Sequence, residues 1–182
     1  MPVSQIDPVA ALVVIDLQKG VVGMPTVHPA AAIVDNAAKL ARAFRAKNLP
    51  VILVNVTGRA PGRTALSRPF NPPADWHELA PELDVQPSDI RVTKMNVGAF
   101  YGTNLERELR RRQVTQVVLC GISTSSGVEA TARAAYDRGY NVVAVTDAMT
   151  DMDPEAHDHA VNKQLPKIGE TTTTAELLAK LG

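Results

Sequence analysis

Two ionisable residues and one glycine-bounded turn carry most of the chemistry available to this chain. Asp16 follows the apolar run 11–15, Lys94 lies near the end of 89–95, and residues 121–135 read GISTSSGVEATARAA. An aspartate close to a lysine is held ionised or, in a dry site, can pass a proton. Ahead of the third stretch lies the tight apolar run 116–120. A strand that stops at a glycine and hands over to a helix N-terminus gathers free backbone N–H groups in one crevice. Such groups near Ser123 and Gly127 can stabilise a developing oxyanion. Taken singly these signals are weak, because Asp16 alone can cap a loop and a lone lysine is more often solvated than catalytic.

The elements around them explain how they could meet. Residues 11–15, 49–56, 89–95, 115–120 and 141–146 are short apolar runs suited to strands buried on both faces. Between the first two, Ile33, Val34, Ala37, Ala38, Ala41 and Phe44 have the spacing of an amphipathic helix, ended by Asn48. Thr103 with Glu106 and Ser126 with Glu129 are spaced as capping boxes, and Asp153-Pro154 opens a further helix. Lys167-Ile168 is a candidate sixth strand before a last helix over Thr174–Leu181. Strands and helices alternate throughout, so the expectation is a doubly wound, three-layer α/β/α domain with a parallel sheet. The Rossmann-like strand order 3-2-1-4-5-6 makes the first and fourth strands neighbours, with Asp16 beside residues 121–127.

Composition narrows the function. The chain has 182 residues and no visible repeat or linker, so one domain over 1–182 is expected. Its 19 basic and 19 acidic residues cancel, which gives no electrostatic reason to expect nucleic acid or an anionic membrane. No apolar run approaches the roughly 20 residues of a membrane span. The opening MPVSQIDPVA lacks a secretory pattern, and the single cysteine fits a reducing compartment, so a cytoplasmic protein is expected.

Residues 57–87 stand apart, rich in proline, with Arg59, Arg63 and Arg68 scattered through them. So long a stretch without periodicity reads as a lid or binding loop, and its Phe70 and Trp76 can wall a pocket or simply fasten the loop. Arg110, Arg111 and Arg112 complement the end of their helix and face solvent. His157 and His159 are two apart on a helix, share no face, and are expected to be solvated; His28 and His77 stand alone. No metal site is expected.

The segments ALVVIDLQKG, KLARAFRAKNLPVILVNV and TKMNVGAFYGTNLERELRRRQVTQVVLCGISTSSGVEATARAAYDRGYNVVAVTDAM resemble the isochorismatase-like (cysteine hydrolase) superfamily over nearly the whole chain. The resemblance implies a hydrolase without cofactor, with Asp16 and Lys94 in the active site and a cis peptide at Ile122-Ser123 shaping an oxyanion hole with Gly127. Gly127 stands where the amidase branches have their nucleophilic cysteine; Cys120, inside the fourth strand, is a core residue and no substitute. The isochorismatase branch proper resembles this chain in having a small residue there. On that pattern Asp16 donates a proton to a vinyl ether, Lys94 orients it and binds substrate, and water attacks. Gln18, Arg59, Trp76 and Phe100 are the expected substrate contacts, the arginines meeting an anionic group of a small molecule. A homodimer or larger homo-oligomer is implied by the relatives. A catalytically silent pocket and a water-attack amidase or esterase remain open alternatives.

Overall fold

The computed structural model describes residues 2–65 and 71–182. Its six strands are β1 (Ala10–Ile15), β2 (Val51–Val56), β3 (Ile90–Lys94), β4 (Gln116–Ile122), β5 (Asn141–Thr150) and β6 (Glu170–Thr172). All pair in parallel, in the order β3-β2-β1-β4-β5-β6 expected from the sequence. β1 and β4 are buried along their full length, which demands an apolar layer on each face. Side chains of β1 alternate between the two layers, Leu12 and Val14 to one, Val13 and Ile15 to the other.

The first layer is built by α2 (Ala30–Ala46), which follows the short α1 (Lys19–Val22) and whose Ile33, Val34, Ala37, Leu40, Ala41 and Phe44 face the sheet, together with Leu177 of α6 (Thr174–Leu181). The second comes from α3 (Leu105–Arg111) and α4 (Glu129–Asp137), through Leu105, Leu109, Ala132 and Ala135. Asp153 caps α5 (Pro154–His159) through the N–H groups of Glu155 and Ala156, and Thr173 with Glu176 makes a complete capping box for α6.

Three local expectations fail for identifiable reasons. Lys167-Ile168 is not a strand: Pro166 and Lys167 close a 3₁₀ turn, and β6 begins after Gly169, which sits so close to Val142 that any side chain there would clash. The Thr103 hydroxyl instead donates to Ala99 O at 2.6 Å and accepts from Leu105 N, leaving Asn104 as the first residue flanking α3. Ser126 caps nothing, because the chain winds into a π-helical turn, Thr124–Val128, before α4 starts.

Gly121 fixes how the first and fourth strands meet. Its φ of 123° is open to glycine, and a Cβ there would collide with the Ile15 carbonyl oxygen. β5 runs on past that point after a register shift, pairing Ile122 with Thr150. The ends of β1, β4 and β5 thereby converge on one edge. No described helix is long and apolar enough to cross a membrane.

Candidate active site

At that edge Asp16 takes a left-handed conformation, φ 51°, which aspartate tolerates better than most residues. Its carboxylate meets the ammonium of Lys94, from the end of β3, at 2.7 Å. Both are almost sealed from solvent, 5% and 3% exposed. Lys94 also donates to the carbonyls of Asn96 and Val97 at 3.1 and 2.9 Å. An ammonium has three N–H groups, and these three acceptors use them all. Lys94 therefore has no donor left for a ligand, against the expectation that it binds substrate.

The carboxylate is the opposite case. Oδ2 holds Lys94, while Oδ1 is buried without any hydrogen-bond partner among the described residues. Burial penalises the charged form and outweighs the attraction of Lys94, pushing the carboxyl up to about 6. Asp16 is thus an acid that can hold or release its proton near neutral pH.

Asp16 and Lys94 lie in the wall of a pocket of about 630 Å³. Ile122, Ser123 and Gly127 form another part of that wall, and the Ile122–Ser123 peptide is cis. Gly127 faces the carboxylate: a Cβ there would stand 3.4 Å from Asp16 Oδ2. Arg59 and Trp76 line the pocket from the long loop, and Met24, Met95 and Met152 supply thioethers. The turn has fewer free N–H groups than the sequence suggested. Asp151 Oδ2 accepts from both N and Oγ of Ser125 at 2.7 Å, and the Ser123 carbonyl accepts from Ser126 N and Val128 N.

Two expected substrate contacts are placed elsewhere. Gln18 is fully buried and does not line the pocket; its amide donates to the carbonyls of Val56 and Trp76 and accepts from Val56 N. It ties the first loop to the end of β2, a framework duty that an amide performs with all its groups satisfied. Phe100 packs against Tyr140, with the Arg138 guanidinium 4.8 Å from its ring centre, in the layer under α3 and α4. Arg63 is exposed and off the pocket wall, whereas Arg68 and Phe70 fall outside the described residues. Cys120 is a core residue, fully buried, with its thiol pushed up to about 12 by burial and by Asp147.

Sequence reasoning also missed a polar cluster behind the turn. His157, expected in solvent, is 6% exposed, and its Nδ1 lies 2.9 Å from Thr124 Oγ1. His28 meets it edge-on, ring centres 4.8 Å apart, and its own Nδ1 lies 3.1 Å from Thr150 Oγ1. Helical spacing treats α5 as a free helix; its packing against the turn 33 residues earlier has no local signature. Among the described residues, no group of three histidine, cysteine, aspartate or glutamate side chains is placed to hold a metal ion.

Residues 10–176 match the model of the isochorismatase domain. The chain is 42% identical to the uncharacterized isochorismatase family protein YecD of Escherichia coli O157:H7, over 94% of this chain and 95% of that one. Its identity to the corresponding YwoC protein of Bacillus subtilis (strain 168) is 41%, over 94% and 93%. The structure of an isochorismatase family protein from Burkholderia thailandensis superposes with a TM-score of 0.94 at 43% identity, covering 97% of each chain.

Proposed function

This chain belongs to the isochorismatase family of hydrolases, and from that premise we propose that it cleaves a small vinyl ether by general-acid catalysis, without a covalent intermediate. The observation that carries this reading is the Asp16 carboxyl: nearly sealed, raised to about 6, in the wall of the pocket, with Oδ1 unpartnered among the described residues. In the neutral acid the carboxyl has a proton to give, and a ligand seated in the pocket beside Gly127 receives it. The π electrons of the vinyl group take that proton at the terminal carbon, leaving an oxocarbenium ion and an aspartate held by Lys94. Water adds to the cationic carbon and returns a proton to Asp16. The resulting hemiketal collapses to a carbonyl compound and an alcohol. Lys94 orients the carboxylate and offsets its charge after proton transfer.

Gly127 supports the same reading. We take it to occupy the place of the nucleophilic cysteine of the amidase branches, since a Cβ there would stand 3.4 Å from Asp16 Oδ2, beside Ile15 Cγ2 at 3.1 Å. With a hydrogen in that place, the space beside the carboxyl is left for substrate. Cys120 offers no replacement thiol. Three methionines and Trp76 suit an apolar body, and Arg59 suits one anionic group.

The test is turnover of isochorismate, a vinyl ether, by the purified protein between pH 5 and 8, with Gly127→Cys alongside. Turnover by the parent that declines as pH rises through about 6 is the expected result, because only the protonated Asp16 is competent. A parent inactive on isochorismate, with amide hydrolysis gained by Gly127→Cys, would overturn the reading in favour of an amidase scaffold. Inactivity of both would leave a pocket retained for binding alone.

A further inference from the structure

The polar cluster behind the π-helical turn is unused by this mechanism, yet it contacts the element that presents Gly127. Thr124 opens the turn and is fully buried; its hydroxyl meets His157 of α5. Thr150 ends β5, is equally buried, and pairs in register with Ile122; it accepts from the His28 backbone N–H and meets the His28 ring. The two imidazoles touch edge to face, so one continuous chain of contacts runs from Thr124 through His157 and His28 to Thr150. Asp151, next along from Thr150, holds Ser125 by two further hydrogen bonds. None of His28, His157, Thr124 or Thr150 lines the pocket.

We propose that His157, backed by His28, is a positioning residue: through Thr124 it fixes the Thr124–Val128 turn so that Gly127 and Ser123 keep their place against Asp16. The proposal deepens the general-acid reading and rests on it for its kinetic consequence. Two features argue against a filling role alone. An imidazole carries polar nitrogens into a nearly sealed space, which only matched partners make tolerable, whereas an apolar ring would fill it more simply. The clamp also holds two elements at once, the turn after β4 through Thr124 and the end of β5 through Thr150. A catalytic constellation displaced by about 1 Å can lose about a hundredfold in rate, so bracing of this turn is felt at the reacting atoms.

His157→Phe keeps the ring volume and removes the bond to Thr124; His157→Asn shortens the side chain but retains a polar atom in the place of Nδ1. Thr124→Val removes the other partner with little change of shape. Isochorismate kinetics, thermal denaturation and amide hydrogen exchange of residues 123–128 are measured on the full chain for all three and for the double variant His157→Phe/Thr124→Val. The expected result is a kcat lowered about tenfold in His157→Phe and in Thr124→Val, with KM within about twofold and faster exchange in the turn. His157→Asn recovers kcat to within about threefold, and the double variant is no worse than either single one. Unchanged kcat and exchange in both single variants would overturn the proposal, as would additive losses or a His157→Asn no better than His157→Phe. If the parent does not turn over isochorismate, the general-acid reading fails by itself, and the exchange of the turn decides the positioning role. Should His157→Phe not fold, Thr124→Val and His157→Asn decide it.

Discussion

Two aspartates sit at opposite ends of the sheet, each almost out of reach of solvent, and they behave in opposite ways. Asp7, 7% exposed, lies at the amino edge, where it accepts hydrogen bonds from Thr115, Asn141 and, at longer range, Gln5. Burial pushes its carboxyl up, but those bonds more than offset this and hold it below the usual aspartate value. Asp16, 5% exposed, has one lysine on one oxygen and no partner among the described residues on the other, and burial prevails. Surface exposure alone therefore does not decide whether a carboxyl is held charged or neutral. Asp16 is the more strongly desolvated of the two and has the fewer donors, and both push it toward the neutral acid.

The sharpest way to test this contrast is to remove each carboxylate in turn. Asp16→Asn is expected to lower kcat on isochorismate by about a thousandfold, within the usual range for a general acid. An Asp16→Asn enzyme that retained its rate would break the comparison at its more important end. Asp7→Ala is expected to do the reverse: a loss of about 2 kcal/mol in urea unfolding, as Thr115 and Asn141 lose their acceptor, with kcat within about twofold of the parent.

A gentler test uses pH, and the two signs are opposed. Asp16, raised in the folded state, contributes stability that is fully present below its ordinary value of 3.8 and lost as pH rises through about 6. Asp7, lowered in the folded state, contributes stability present above 3.8 and lost as pH falls through its depressed value. Unfolding free energies of the parent minus those of Asp16→Asn should therefore fall between pH 4 and 6. The same difference taken against Asp7→Asn should hold steady there and fall only at more acid pH. Equal slopes for the two would mean that the carboxylates share one environment.

Much of this arrangement could be read from residue order. The run ending at Asp16 and the apolar strand ending at Gly121 announced two buried parallel strands, and the alternation of elements gave the sheet order that brings them together. Lys94 was legible by its place after the third strand, and its distance to Asp16 agrees. What escaped depends on partners distant in the chain. Gln18 was expected among the substrate contacts at the start of the loop after Asp16, but its bonds go to Val56 and Trp76, far along the chain. Phe100 was expected among the substrate contacts, yet the chain turns it under α3 and α4. His157 looked solvated because helical spacing describes only its own helix; the Thr124 hydroxyl that draws it inward is invisible locally.

The filled ammonium of Lys94 has a consequence for ligand design. A carboxylate or phosphate placed against it would have to displace Asp16 or a backbone carbonyl, so negative charge gains no anchor at the floor of the pocket. The group left to a ligand there is the Asp16 carboxyl, which lies in the same wall. A selective inhibitor is expected to reach it with an N–H or O–H group, carry thioether-compatible bulk above it, and place any anionic substituent out toward Arg59.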